Sequence, residues 1–310
     1  MKNSFSMSLL LAFAAAPFCS SAQLALSDPD HFNNWNTSIK EFEVKSVRLS
    51  TGVSVQYVEQ GDVNGTPVIF LHGITDSWHS FELVLPELPQ FMHAFAISQR
   101  GHGDSERPES GYTMKDFSND IAAFIQEFKL GKAILVGHSM SGLIVQQFAL
   151  DHPELVKAIV IIDSAPSFKN APGMPEFVKQ VGQLTDPIDP VFADEFQKST
   201  LANPIDPAYY NTVVNEGLKV PARVWIAAFD GIMRADYVKR LKHINVPVLI
   251  LWGDKDNFCL REDQDVFVRG IKQSQFIIYQ GTGHALHWEQ PRQFATDLTD
   301  FVKKLIYTAK

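Results

Sequence analysis

One short segment restricts the possible folds more than any other part of the chain. Residues 133–136 form a continuous apolar run, and Gly137, Ser139 and Ser141 follow at alternate positions. A continuous apolar run of this length is typical of a buried strand. Because small residues flank Ser139, the chain can turn very tightly there before it continues into a helix-like stretch. Such a turn strains the serine backbone and exposes its hydroxyl beyond the end of the strand.

An acidic and a basic side chain follow later in the chain, each just after a predicted strand. The apolar run 246–252 ends in a turn that carries Asp254 and Asp256, and the run 276–279 is followed by His284. Serine is a weak nucleophile at neutral pH unless a base removes its proton. Histidine can remove that proton, and a buried carboxylate can hold the imidazole in the required tautomer. The three residue types are therefore those of an activated serine nucleophile.

From about residue 42 to about residue 305, the chain resembles the α/β-hydrolase family. The order of serine, acid and histidine, each just after a strand, is the order found in that family. The resemblance implies an α/β fold with a mostly parallel eight-stranded sheet and flanking helices. It also implies a catalytic triad of Ser139, Asp256 and His284.

Two members of this triad have rivals nearby. In similar enzymes the carboxylate lies three residues after the turn glycine, which favours Asp256 over Asp254. Asp163 follows another predicted strand and is a more distant alternative for the acid. His287 competes with His284, but the Gly-His step and the Glu-Gln-Pro sequence downstream resemble the catalytic loop of the family. We therefore expect Asp256 to be the acid and His284 to be the base.

A second loop resembles the segment that binds the oxyanion in this family. A predicted buried strand at residues 68–71 is followed directly by His72 and Gly73. The resemblance implies that the backbone N–H groups of Ile74 and Met140 point at the negative charge that develops during the reaction. His72 is expected to be a structural residue of this loop and not a second base.

A third segment resembles a turn of the family that has no catalytic role. It comprises residues 100–105 and follows a predicted strand. Ser98 and Gln99 replace the acidic start that is usual in this turn. We expect the segment to be structural, with a weakened ion pair at Arg100.

The pattern changes between residues 164 and 245, where proline is frequent and several short helical stretches are predicted. Similar enzymes insert a helical cap at this point, and a cap gives a closed, mostly apolar pocket. We therefore expect a core of residues 23–163 and 246–310 and a cap of residues 164–245. Truncating Phe192 or Trp225 is expected to change the preference for acyl chain length. The side chains expected to bind substrate are His138, Trp78, Met174, Phe177, Phe192, Trp225, Phe229 and Met233, with Val181 and Phe196 as further candidates.

The amino-terminal residues have the pattern of an export signal. A lysine precedes an apolar run at residues 7–16, and small residues follow where a signal peptidase would cut. We expect a signal peptide of residues 1–22 and a mature protein that begins at Gln23 in the periplasm or the medium. A lipoprotein anchored through Cys19 is the alternative, but the bulky Phe18 disfavours it.

Charge and composition limit the partners of the predicted mature chain. The formal net charge of −8 argues against nucleic acid, because phosphate binding relies on clustered Lys and Arg. No apolar stretch after the signal is long enough for a membrane helix, so no stable membrane association is expected. Cys259 would be the single cysteine left, expected to be half-buried and structural. No metal or organic cofactor is implied, because no clustered ligand spacing such as His-Glu-x-x-His occurs.

Together these features predict a secreted serine hydrolase that cleaves a small to medium-sized hydrophobic carboxylic ester or lactone through an acyl-enzyme. One alternative is a carbon–carbon bond hydrolase with the same triad, for which Arg223 and Arg234 are candidate cationic contacts. Another is a ligand-binding relative with weak hydrolase activity. A cofactor-free haloperoxidase side activity is also compatible. Epoxide hydrolases and haloalkane dehalogenases need a carboxylate nucleophile, whereas position 139 is a serine.

Overall fold

A computed structural model describes residues 41–169 and 171–307. The expected signal peptide of residues 1–22, its cleavage site and Cys19 lie outside these described residues. Within them, no helix has both the length and the apolar character needed to cross a membrane.

The described residues form one eight-stranded sheet with the strand order β1-β2-β4-β3-β5-β6-β7-β8. β1 and β2 pair antiparallel, as do β2 and β4, whereas the other neighbouring strands pair parallel. This topology confirms the predicted mostly parallel α/β sheet. The strands are β1 (Lys45–Arg48), β2 (Ser54–Gln60), β3 (Thr66–Leu71), β4 (Met92–Ser98), β5 (Ala133–His138), β6 (Val156–Ile162), β7 (Val248–Gly253) and β8 (Ser274–Tyr279).

Helices connect the parallel strands. Four of the helices, α3 to α6, lie consecutively between β6 and β7 in the chain. The helices are α1 (Met114–Glu127), α2 (Met140–Asp151), α3 (Met174–Val181), α4 (Pro190–Ser199), α5 (Pro207–Leu218), α6 (Ala222–Arg234), α7 (Arg261–Gly270), α8 (Leu286–Glu289) and α9 (Pro291–Tyr307). Short 3₁₀ helices cover Trp78–Phe81, Leu85–Glu87 and Leu241–His243.

Both faces of the sheet are covered, which explains why its central strands are continuous apolar runs. Every residue of β4, β5 and β7 is buried. Successive side chains of a strand point to opposite faces. In β3, Ile69 and Leu71 accordingly pack in the core that contains α1, α2 and α6, whereas Val68 and Phe70 pack in the core that contains α9.

The parallel strands bring distant parts of the sequence to one edge of the sheet. Because β3, β5, β6, β7 and β8 run in the same direction, the residues that follow them lie at the same edge. Ile74, Ser139, Asp163, Asp256 and His284 all follow one of these strands. In open α/β sheets, the carboxyl ends of the strands are the usual place for ligand binding.

Candidate active site

The turn between β5 and α2 holds Ser139 in a strained conformation. Its φ is 53° and its ψ is −114°, a region that side-chain-bearing residues rarely adopt. A Cβ atom at Gly137 would lie 2.3 Å from the carbonyl oxygen of Ser141, and one at Gly142 would lie 2.3 Å from the Cβ of Ser164. The tight turn therefore requires glycine at both positions. Neighbouring strands fix the whole turn to the edge of the sheet.

The hydroxyl of Ser139 meets the two side chains expected to activate it. Ser139 Oγ lies 2.8 Å from His284 Nε2, and His284 Nδ1 lies 2.9 Å from Asp256 Oδ2. The other oxygen of Asp256 accepts backbone N–H bonds from Phe258 at 2.7 Å and Cys259 at 3.1 Å. Because a carboxylate can only accept, Nδ1 of His284 carries the hydrogen and Nε2 is free to take the serine proton.

The rival acids have other contacts. Asp254 accepts a hydrogen bond from the backbone N–H of Gly281 at 2.6 Å and thereby joins two turns. Asp163 accepts from the N–H groups of Gly253 at 2.8 Å and Leu286 at 3.3 Å. Burial, and then the charge of Asp256, holds the pKa of Asp163 well above its usual range. Both carboxyl groups thus brace the loops that carry Asp256 and His284.

The rival base is enclosed. His287 is fully buried, its Nε2 lies 3.0 Å from Ser80 Oγ, and its ring stacks on Phe81. Burial, and then the nearby His284, lowers the pKa of His287 to about 3. The ring is therefore neutral and bonded to a serine other than the one in the strained turn.

The expected oxyanion donors lie beside Ser139. Ile74 and Met140 both line the same cavity as Ser139 and His284. Met140 is the first residue of α2, so its N–H has no intrahelical acceptor and lies at the positive end of the helix dipole. His72 is buried, donates through Nδ1 to the carbonyl of Gly73 and accepts from the N–H of Gln99 at Nε2. Its contacts are those of a structural loop residue.

Two polar side chains, Ser141 and Gln99, join the serine turn to this loop through contacts that the sequence did not predict. The hydroxyl of Ser141 donates to the carbonyl oxygen of His72. The amide of Gln99 donates to the same carbonyl at 3.1 Å and to the Ser141 hydroxyl at 2.9 Å. Ser141, one of the small residues that flank Ser139, therefore holds the turn to this loop with a specific hydrogen bond. Arg100 pairs with Asp120 of α1 through two bonds of 2.6 Å, so its ion pair is intact.

A small apolar cavity with a volume of about 30 Å³ opens onto Ser139. Ser139, Thr200 and His284 are its polar lining residues. The substrate-contact candidates Met174, Phe177, Phe196 and Phe229 also line it. The further apolar lining residues are Ile74, Met140, Phe168, Ile232 and Phe258. Phe168 and Phe258 follow β6 and β7, so sheet topology was the signal that would have found them.

Three of the expected contacts from residues 164–245 lie behind the cavity wall instead. Trp225 is fully buried and packs edge-on against Phe196 at 5.3 Å and Phe192 at 5.5 Å between ring centroids. Phe192 is half-buried, and it also stacks on Phe177 at 6.3 Å between ring centroids. Met233 is half-buried and packs against the core that contains α1, α2 and α6. These three side chains do not line the cavity, because helix packing turns them toward other side chains. Val181 is likewise buried in the core.

Two expected contacts outside the inserted helices also lie elsewhere. Trp78 packs in the core that contains α9, and its ring stacks on His79 at 3.8 Å. His138 points away from the cavity, and its Nε2 donates to the backbone carbonyl of His284 at 2.8 Å. Neither side chain lines the cavity next to Ser139. Trp78 supports the loop after β3, and His138 supports the loop of the base.

Cys259 is fully buried, not half-buried as expected from the sequence. Its ligating atom lies within 4.8 Å of those of Asp256 and His284, a grouping that could in principle hold a metal ion. However, the thiol donates to the carbonyl of Asp163, and burial, followed by the charge of Asp256, holds its pKa well above the usual range. A neutral thiol is a poor ligand, because metals and electrophiles react with the thiolate. The grouping is therefore better explained by the Asp–His pair alone.

Comparisons with known proteins agree with this fold. The profile of a family described as alpha/beta hydrolase fold matches residues 66–291. The AB hydrolase superfamily protein YisY of Bacillus subtilis (strain 168) is 30% identical over 247 residues, covering 77% of this chain and 92% of the relative. Lipase 1 of Psychrobacter immobilis is 25% identical over 273 residues, covering 84% of each chain.

A solved structure shows the same architecture. The esterase RhEst1 from Rhodococcus sp. ECU1013 superimposes with a TM-score of 0.76 at 25% identity, covering 84% of this chain and 99% of the esterase. The family profile spans well over half of the chain, and strands β3 to β8, the serine turn and the histidine loop lie within the match. The chain therefore belongs to the α/β-hydrolase fold family.

Proposed function

We propose that this α/β-hydrolase is a serine esterase that cleaves small to medium-sized, hydrophobic carboxylic esters or lactones through an acyl-enzyme. The observation that carries the proposal is the 2.8 Å contact between Ser139 Oγ and His284 Nε2 at the wall of an apolar cavity. The esterase and lipase among the similar proteins support ester bonds as the target.

In this mechanism, Ser139 Oγ attacks the ester carbonyl carbon while His284 Nε2 takes its proton. The carbonyl oxygen becomes an oxyanion that accepts hydrogen bonds from the N–H groups of Ile74 and Met140. His284 then gives the proton to the departing alcohol, which leaves Ser139 acylated. Water repeats the sequence and releases the acid. Asp256 stabilises the imidazolium at each step, and each oxyanion donor contributes roughly 3–4 kcal/mol to the transition state.

The surroundings of the cavity favour an uncharged acyl group over a carboxylate-bearing substrate. The two arginines considered for such a substrate are engaged elsewhere. Arg223 donates to the carbonyl oxygens of Pro108 at 2.7 Å and Arg107 at 2.8 Å. Arg234 has a side chain that is 74% exposed and pairs with Asp230 on its own helix. Because both arginines have these other contacts, ester hydrolysis is favoured over carbon–carbon bond hydrolysis.

We also propose that the helices between β6 and β7 act as a cap that limits acyl length. Phe177, on α3, stacks on Phe196 at 5.7 Å and meets Phe229 edge-on at 5.4 Å. These rings line the cavity next to Ser139 and fill the space into which an acyl chain would extend. Removing one of them should therefore make room for a longer chain.

Phe229→Ala should shift the ratio of kcat/KM for a long ester over a short ester upward by about tenfold, because a few methylenes in an apolar pocket discriminate on this scale. Phe192→Ala is the matched control, since it removes the same side chain from a position behind the wall. It should leave the ratio unchanged while lowering the melting temperature. A shift in this ratio with Phe192→Ala and none with Phe229→Ala would contradict the proposal that Phe229 limits acyl length.

A panel of nitrophenyl esters with acyl chains of increasing length, run beside several lactones, tests the proposed reaction. We expect a burst of nitrophenol equal to one product per chain, followed by rapid turnover. A burst with hardly any turnover would instead indicate a ligand-binding relative. Hydrolysis of a carbon–carbon bond without hydrolysis of any ester would favour the second enzyme class.

We further infer that the protein is exported. The support is the sequence pattern at residues 1–22, with its apolar run and small residues before Gln23. Amino-terminal sequencing of the protein recovered from its native cells should begin at Gln23. A chain that retains Met1, or one with lipid on Cys19, would contradict this inference.

A further inference from the structure

A carboxyl group in the oxyanion loop is buried, and no Lys or Arg among residues 41–169 and 171–307 pairs with it. Asp76 lies two residues after Ile74 and is 3% exposed. Its Oδ1 accepts from the amide of Gln197 on α4 at 3.3 Å, and its Oδ2 is 3.5 Å from the hydroxyl of Ser80. Both bonds are long, and neither donor carries a charge. A buried carboxylate needs stronger compensation than this.

The ring of His138 lies against the same loop and has one nitrogen without a partner. Its Nε2 must carry the hydrogen, because it contacts the carbonyl oxygen of His284, which can only accept. Nδ1 is then a lone-pair acceptor, and it is buried with no hydrogen-bond partner among the described residues. It lies 4.0 Å from Asp76 Oδ2, and a Cβ at Gly73 would come within 2.8 Å of it.

Only one proton arrangement suits these two groups. A carboxylate would face the lone pair of a neutral ring, whereas a carboxylic acid could donate to it after a movement of about 1 Å. An ion pair is disfavoured, because burial opposes the charged form of both groups. Burial, followed by the neighbouring His287 and His284, holds the pKa of His138 well below its usual range.

The groups around Asp76 set its titration. Burial is the main cause that raises its pKa to about 7, and the charge of Glu216 on α5 adds to this. The bonds from Gln197 and Ser80 and the nearby His284 act in the opposite direction. Tyr209 of α5 also faces the carboxyl group, and its own pKa is raised mainly by burial. Asp76 is therefore neutral below about pH 7 and loses its proton as the pH rises through that value.

We propose that Asp76 is a positioning residue that carries the hydrogen joining the oxyanion loop to the ring of His138 and, through it, to the loop of His284. Gln197 holds the other oxygen of Asp76 and also contacts Thr75 Oγ1 at 3.5 Å, so α4 reaches the same link. Thr75 has a φ of 69°, a left-handed value that a non-glycine residue keeps only when its surroundings fix the backbone. The link thus fixes the distance between the oxyanion donors and the base. It rests on the proposed serine mechanism.

Asp76→Asn tests the link, because asparagine keeps the shape and supplies a permanent N–H toward His138 while its oxygen still accepts from Gln197. It should retain most of kcat, whereas Asp76→Ala should lose about 10²-fold in kcat with a smaller change in KM, as expected for misplaced catalytic groups. In the wild type, kcat should fall as the pH rises above about 7, when Asp76 loses its hydrogen. Asp76→Asn should lack this fall, and Gln197→Met should move it to higher pH.

Infrared spectroscopy gives a readout that does not depend on catalysis. At pH 6, the wild type should show the carbonyl stretch of a protonated carboxylic acid that Asp76→Asn lacks, while Asp163 contributes equally to both spectra. This band should persist in Ser139→Ala, so a failure of the serine mechanism is distinguishable from a failure of the link. Absence of such a difference would overturn the proposal. So would an Asp76→Asn protein as impaired as Asp76→Ala, or one that keeps the decline of kcat at high pH.

Discussion

Ser139→Ala should reduce kcat for a nitrophenyl ester by roughly 10⁶-fold, the scale seen when the nucleophile of a serine hydrolase is removed. The reason is that His284 then has no hydroxyl to deprotonate, and water must attack the ester directly. The fold should persist, because the substitution removes one oxygen from the wall of a cavity. Rates measured with excess enzyme, together with the melting temperature, test this expectation.

Ser141→Ala is the matched control for that substitution. It deletes the same atom two residues away, where the hydroxyl donates to the carbonyl of His72. It should cost a modest part of the stability and activity, since the bond to His72 and the bond from the Gln99 amide are lost and about 1 kcal/mol is typical for each. Activity that survives in Ser139→Ala but disappears in Ser141→Ala would contradict the choice of nucleophile.

Asp256→Asn should lower kcat by about 10⁴-fold, as the corresponding change does in a serine protease. The hydrogen-bond geometry gives the reason. Oδ1 of Asp256 accepts two backbone N–H bonds, so the amide oxygen of asparagine takes that place and its NH₂ group faces His284 Nδ1. His284 must then accept at Nδ1 and carry its hydrogen on Nε2. In that tautomer it cannot take the proton of Ser139.

Asp254→Asn is the matched control, measured with the same ester. Asp254 is an acceptor for the N–H of Gly281, and an asparagine oxygen can still fill that role. We expect a change of only a few-fold in kcat, because the tautomer of His284 is unaffected. Equal losses in the two variants, or a larger loss in Asp254→Asn, would overturn the choice of Asp256 as the acid.

Local sequence patterns predicted the scaffold of the site. The apolar runs that became β3, β5 and β7 are continuous because both faces of the sheet are covered there. Parallel strands then bring the residues that follow them to one edge, where the structure places Ser139, Asp256 and His284 in contact. This step needs only the positions of the strands and a parallel sheet, and continuous apolar runs are typical of both.

The wall of the cavity could not be predicted in the same way. Phe177 and Phe192 are both phenylalanines of predicted short helices. Phe177 lines the cavity, whereas Phe192 does not line it and packs edge-on against Trp225. Which face of each inserted helix turns inward depends on how the helices pack on one another, and amphipathicity alone does not distinguish the inner face from a neighbouring helix. For this reason the sequence pattern led to the prediction that Trp225 and Met233 contact the substrate.

The polar supports of the site were also missed, because each joins residues far apart in the chain. Ser141 meets His72 across 69 positions, and Gln197 meets Asp76 across 121. No local spacing of residues in the sequence predicts such contacts. They depend on how closely two loops approach after the sheet has formed.

The central claim is that Ser139 is the nucleophile. A serine-directed phosphonate, followed by digestion and tandem mass spectrometry, tests this claim most directly. We expect one adduct per chain, located on Ser139, with Ser139→Ala unlabelled and Ser141→Ala labelled as the wild type. An adduct on Ser141 or on any other residue of the native protein, or labelling that persists in Ser139→Ala, would contradict the account.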